Sequence, residues 1–99
     1  MRFGTIPEAI ADIRAGRMVV MVDDEDRENE GDLVMAAARA RAADINFMAR
    51  EGRGLVCVSM PAERLRTLGL QPMVERNTSK LGTNFAVSVD AVRGTTTGI

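Results

Sequence analysis

Apolar positions recur along this chain in two rhythms, one helical and one strand-like, and together they divide it into short alternating elements. Ile6, Ile10 and Ile13 fall at helical spacing. They follow Thr5-Ile6-Pro7-Glu8, where the Thr5 hydroxyl and the Glu8 carboxylate can each satisfy a free first-turn amide and Pro7 suits the first turn. Gly16 stands where a left-handed residue would end that helix. Met18-Val19-Val20-Met21-Val22 is a continuous apolar run, expected as a strand buried on both faces. Leu33 to Ala37 reads as a second short strand. A helix is predicted over 42–50, with Ile45, Met48 and Ala49 inward and Gly52 beyond its end. Gly54 to Ser59 reads as a third strand, and Pro61 to Leu68 as a short helix closed by Gly69. Periodicity then lapses from Gln71 to Thr83, which predicts a long loop. Phe85, Val87 and Val89 alternate with Ala86, Ser88 and Asp90, the period of a strand with one wetter face.

Helices alternating with buried strands predict an α/β (α+β) fold, a layered αβα domain with a mixed sheet. Covering both faces of those strands takes more helix than this chain supplies. The domain is therefore expected to be incomplete in this chain, with apolar surface either exposed or buried against another chain. The last segment, Gly94-Thr95-Thr96-Thr97-Gly98-Ile99, is turn-like with nothing regular after it, and reads as an interrupted ending.

Composition narrows the picture. A length of 99 residues permits one hydrophobic core, so residues 1–99 are read as one portion of a single domain. With three Phe, no Trp, no Tyr and seven Met, that core must be filled by aliphatic side chains and Met, and no aromatic platform exists for stacking nucleic-acid bases. The bases are dispersed and nearly all Arg, so no nucleic acid is expected as a partner. The single Cys57 cannot form an internal disulfide, which fits a reducing cytoplasm. The longest apolar run, 18–22, is too short to cross a bilayer, and no membrane association is expected.

The net charge of −1 hides an asymmetry. Asp23, Asp24, Glu25, Asp26, Glu28, Glu30 and Asp32 crowd into ten residues with one base, Arg27, a local charge of −6. The stretch follows a buried strand directly, where α/β proteins commonly place ligand crevices. Carboxylates at this density need water, cations or bases to relieve their repulsion. Magnesium takes one or two carboxylates and keeps several waters, so the stretch is a candidate magnesium site. A solvated acidic loop is the bland alternative. A calcium EF-hand fits Asp26, Glu28, Glu30 and Gly31 at positions 1, 3, 5 and 6 but fails at position 12, where Ala37 replaces the required Glu.

Asp23 through Leu33, DDEDRENEGDL, resembles the signature stretch of 3,4-dihydroxy-2-butanone 4-phosphate synthases. The likeness continues through INFMAR (45–50), GLVCV (54–58), NTS (77–79), FAVSVDA and GTTTGI, and so covers nearly the whole chain. The resemblance implies a lyase of riboflavin biosynthesis that converts D-ribulose 5-phosphate into formate and 3,4-dihydroxy-2-butanone 4-phosphate with Mg2+ or Mn2+. It implies Glu28 as a metal ligand, Arg27 and Glu28 at the substrate, and Asp32 on a substrate hydroxyl. Glu30 and Asp26 are candidates for acid–base or supporting roles. The chemistry is coherent: removing a proton beside a ketone demands stabilisation of an enediolate, which a divalent cation supplies as a Lewis acid while a carboxylate moves the proton.

Cys57 is a further catalytic candidate, although a mid-strand thiol is usually inert. Thr95, Thr96 and Thr97 offer hydroxyls to a substrate, with capping or turn roles as the alternative. Arg76, Asn77, Thr78 and Ser79 are candidates for a lid. Family members are considerably longer, carry a metal-binding His in a Gly-His-Thr-Glu stretch, act as homodimers, and are often fused to a GTP cyclohydrolase II domain. This chain has no His, so as a fragment it is expected to bind metal weakly and to be inactive alone. Two rival readings are a small divalent-cation-binding module and a catalytically dead dimerisation unit.

Overall fold

In the computed structural model, residues 2–95 are described. The chain divides after Val58 into two compact units.

The first unit opens with α1 (Ile6–Arg14), capped as its sequence predicts: the Glu8 amide donates to Thr5 Oγ1 at 3.3 Å and the Thr5 amide donates to Glu8 Oε2 at 2.7 Å. Its other end closes when Gly16 turns to φ 81°, so that the Gly16 and Arg17 amides reach back to the carbonyls of Ile13 (3.0 Å) and Asp12 (2.9 Å). The chain then enters a hairpin. Strand β1 (Val19–Val22) pairs antiparallel with β2 (Gly31–Val34), in the register Val19 to Val34, Val20 to Leu33, Met21 to Asp32 and Val22 to Gly31. Residues opposite one another share a face, so Leu33 joins Val20 and Val22 on one side while Asp32 joins Met21 on the other. Helix α2 (Ala42–Phe47) runs into a π-helical turn, Met48–Gly52, and that turn packs against β2. Gly52 permits the approach, since a Cβ there would lie 3.2 Å from Leu33 Cδ1.

The second unit holds α3 (Ala62–Thr67), with Pro61 before it and Gly69 at φ 71° after it. Its long loop folds back on itself. Met73 donates to the Phe85 carbonyl (2.9 Å) and Val87 to the Gln71 carbonyl (2.8 Å), around an antiparallel bridge between Pro72 and Ala86.

The α+β character matches the sequence reading, and Ile45, Met48 and Ala49 are half-buried as expected. Several details differ. The strand expected over 33–37 runs from Gly31 to Val34, and the run 18–22, expected to be buried on both faces, leaves Val20, Met21 and Val22 exposed because no layer covers them. Among the described residues the sheet is a two-stranded antiparallel hairpin rather than a mixed sheet. The runs 54–59 and 84–91 form no strand apart from the single bridge at Ala86, because a strand exists only where a neighbour takes up its backbone hydrogen bonds. The helix expected over 42–50 changes to π geometry at Met48. The expected exposure of apolar surface is found. No described residue is buried, and Val20, Val22 and Leu55 are 67%, 55% and 80% exposed.

Two measurements check these features. Gly16→Ala forces a Cβ into the left-handed region at a cost of about 1 kcal/mol, so the Arg17 amide should exchange with solvent about fivefold faster. The uncovered apolar faces should raise the fluorescence of the dye ANS under native conditions; a dye signal no higher than that of a small, fully packed protein would contradict them.

Candidate functional site

The acidic segment is the eight-residue loop, 23–30, that joins β1 to β2. Carboxylates so close together would splay apart unless donors held them, and one of them gathers most of the donors. Asp23, the half-buried residue of the loop, accepts three hydrogen bonds. Its Oδ1 takes the Glu30 amide at 3.0 Å, and its Oδ2 takes the Glu28 amide at 2.9 Å and Arg27 Nη1 at 3.0 Å. The turn inside this clasp is closed by the Arg27 and Asn29 amides, both donating to the Asp24 carbonyl at 3.0 and 3.2 Å. Asn29 takes the left-handed conformation, φ 52°, which Asn tolerates better than most residues.

These donors hold the Asp23 carboxyl at a pKa of about 2, below its usual 3.8; the Glu30 and Glu28 amides contribute most and Arg27 adds to them. Arg27 is raised in turn, chiefly by its bond to Asp23 and then by the charge of Glu28. The same Nη1 also meets Glu28 Oε1 at 2.7 Å, so one guanidinium nitrogen bridges two carboxylates. All three side chains are solvent-accessible, and the ion pairs alone hold the loop weakly. The bonds to backbone amides fix its shape.

The hairpin thus brings Arg27, Glu28 and Glu30 together with Asp23, and places Asp32 on β2 two residues after Glu30. Asp23 is the residue that sequence reasoning passed over. Its signal was position: the first residue after the strand, facing a loop just long enough for its amides to turn back toward it.

The other candidates lie outside the hairpin segment. Cys57 is exposed and outside any strand, not buried in one as expected, and its Sγ donates locally to the Leu55 carbonyl at 3.8 Å. Thr95 belongs to the second unit, with its hydroxyl 3.5 Å from the Ala91 carbonyl. Thr96 and Thr97 lie outside the described residues. In the candidate lid, Asn77 is a brace: its Nδ2 donates to the Thr83 carbonyl (3.0 Å) and Asn84 Oδ1 (2.9 Å), and its Oδ1 accepts the Ser79 amide (2.9 Å).

The donor chemistry of the loop suits a hard divalent cation, since Glu28 presents an accessible carboxylate and magnesium needs only one or two of them. Among the described residues no three acidic or thiol side chains converge to form a complete cage. No helix there is long and apolar enough to cross a membrane.

Acid should open the loop. Between pH 4 and pH 2 the closed loop keeps Asp23 ionised while an open loop binds a proton, so closure is fully supported above the usual carboxylate value and is lost as pH falls through about 2. The Glu28 and Glu30 amide resonances should move together in that window. Movement centred near pH 4 would contradict the clasp.

Known proteins resemble this chain over nearly its whole length. Residues 7–99 match the family described as 3,4-dihydroxy-2-butanone 4-phosphate synthase. The synthase of that name from Pseudomonas aeruginosa is 59% identical over 99 residues, covering 100% of this chain and 27% of the relative. The riboflavin biosynthesis protein RibBA of Aquifex aeolicus is 58% identical over 100 residues, covering 99% of this chain and 25% of its own length. This chain therefore spans about a quarter of the relatives it matches. Among solved structures, the two-domain synthase RibBX from A. baumannii superposes with a TM-score of 0.83 at 53% identity, covering 97% of this chain and 28% of that one. A synthase crystallised with two magnesium ions gives 0.88 at 41% identity, covering 96% of this chain and 44% of that one. The chain belongs to the 3,4-dihydroxy-2-butanone 4-phosphate synthase family.

Proposed function

We propose that this chain forms the amino-terminal portion of a single synthase domain that converts D-ribulose 5-phosphate into formate and 3,4-dihydroxy-2-butanone 4-phosphate in riboflavin biosynthesis. The observation that carries the reading is the hairpin, which carries Arg27 and Glu28 in its loop and Asp32 on β2, within six residues of a segment that matches the family from residue 7 to residue 99.

In this reading Glu28 is a ligand to Mg2+ or Mn2+, with water and residues outside this chain completing the shell. When bound, the ion supplies Lewis-acid polarisation of the substrate oxygens. Arg27 orients the substrate through its guanidinium, Asp32 accepts a hydrogen bond from a sugar hydroxyl, and Glu30 moves a proton at the carbon beside the ketone. The whole enzyme is read as a cytoplasmic homodimer, as the family resemblance implies.

A single-chain chimera tests the proposal. This segment replaces the matched segment of the Pseudomonas aeruginosa synthase, and formate release from D-ribulose 5-phosphate is followed with magnesium. Activity within tenfold of the parent is expected, and its absence from a folded chimera would overturn the reading. Within the chimera, Glu28→Gln should lower kcat a hundredfold or more and chelation of divalent metal should stop turnover, whereas Asp32→Asn should chiefly raise KM.

A further inference from the structure

We infer that Asp23 is a positioning residue, one that makes no contact with substrate or metal itself but fixes Arg27 and the Glu28 peptide in the arrangement the site uses. The inference rests on the roles proposed for Arg27 and Glu28.

Three observations converge on it. Asp23 binds the Glu28 amide directly, at 2.9 Å, which fixes the point from which the Glu28 side chain departs. It binds the Glu30 amide at 3.0 Å, closing the loop on the far side of Glu28. It also shares Arg27 Nη1 with Glu28, at 3.0 and 2.7 Å respectively.

The shared nitrogen has an electrostatic consequence. An arginine paired with Glu28 alone would cancel the charge on which a cation depends. Divided between two carboxylates, the guanidinium leaves the trio with a net charge of −1, and the Asp23 side holds Arg27 in place whether or not Glu28 is engaged elsewhere. Were Glu28 to hold a cation, Arg27 would still keep its bond to Asp23. The neighbouring acids lack these bonds: among the described residues, the side chains of Asp24, Glu25 and Asp26 make no hydrogen bond. They add charge to the loop without setting its geometry.

Charge and geometry are separated by three variants of this chain. Asp23→Asn removes charge and bonds together, Asp23→Glu keeps the charge but shifts both oxygens by a methylene, and Glu25→Gln removes the same charge where no bond is made. Without metal, both Asp23 variants should speed hydrogen exchange at the Glu28 and Glu30 amides tenfold or more and shift the Arg27 side-chain resonances. The Glu8 amide in α1 should be unaffected, which shows that the unit remains folded. With Mn2+ alone as the probe, both Asp23 variants should weaken binding at least tenfold, and Glu25→Gln by less than threefold. Wild-type behaviour of Asp23→Glu in both readouts, or equal effects of Asp23→Asn and Glu25→Gln, would overturn the inference. If the unsubstituted chain bound no Mn2+, the metal role of Glu28 in this chain would fall, and the exchange and side-chain readouts would still decide the role of Asp23.

Discussion

Mutual repulsion among carboxylates is the constraint around which this hairpin is built. Six acids occupy the eight residues between β1 and β2, with Asp32 just beyond. Left to itself such a loop would extend into water and define no geometry. One of the six turns inward instead and accepts two amides and a guanidinium. The remaining charges are thereby left on a scaffold of fixed shape, the condition for using them to hold a cation or orient a sugar. The strand pairing matters for the same reason, since the Val22 to Gly31 register sets the two ends of the loop at the separation Asp23 can span.

Much of this was legible in the sequence because the deciding interactions are local. The capping box at Thr5 and Glu8, the glycine stops at 16 and 69, and the inward side of the second helix follow from spacing over three or four residues. The candidates Arg27, Glu28 and Asp32 were picked out by their motif; the hairpin joins Arg27 to Glu28 by a hydrogen bond and carries Asp32 on β2. The strands expected over 54–59 and 84–91 were not legible, because an apolar run announces that a strand is wanted without supplying its partner. Cys57 was misplaced by the same error: its burial was inferred from a sheet that is not found among the described residues. Asp23 escaped notice for a different reason. Surrounded by like residues, it is distinguished only by which amides point at it, and that depends on the folded turn.

The uncovered apolar faces and the ordered loop are two sides of one division of labour. The polar geometry is complete within the hairpin, whereas no described side chain is fully withdrawn from water. Two paired strands alone are marginal in water. Here β1 has α1 against it, and β2 has the turn that follows α2. The close approach of Leu33 to Gly52 is the nearest this unit comes to a packed interior.

The hairpin also bears on the order of folding events. Every contact that shapes the acidic loop joins residues no more than seven apart, and the pairing that frames it spans from Val19 to Val34. Closing so short a stretch costs little chain entropy and takes place in microseconds. The loop can therefore form without waiting for contacts distant in the sequence, so its charges are in place early in folding.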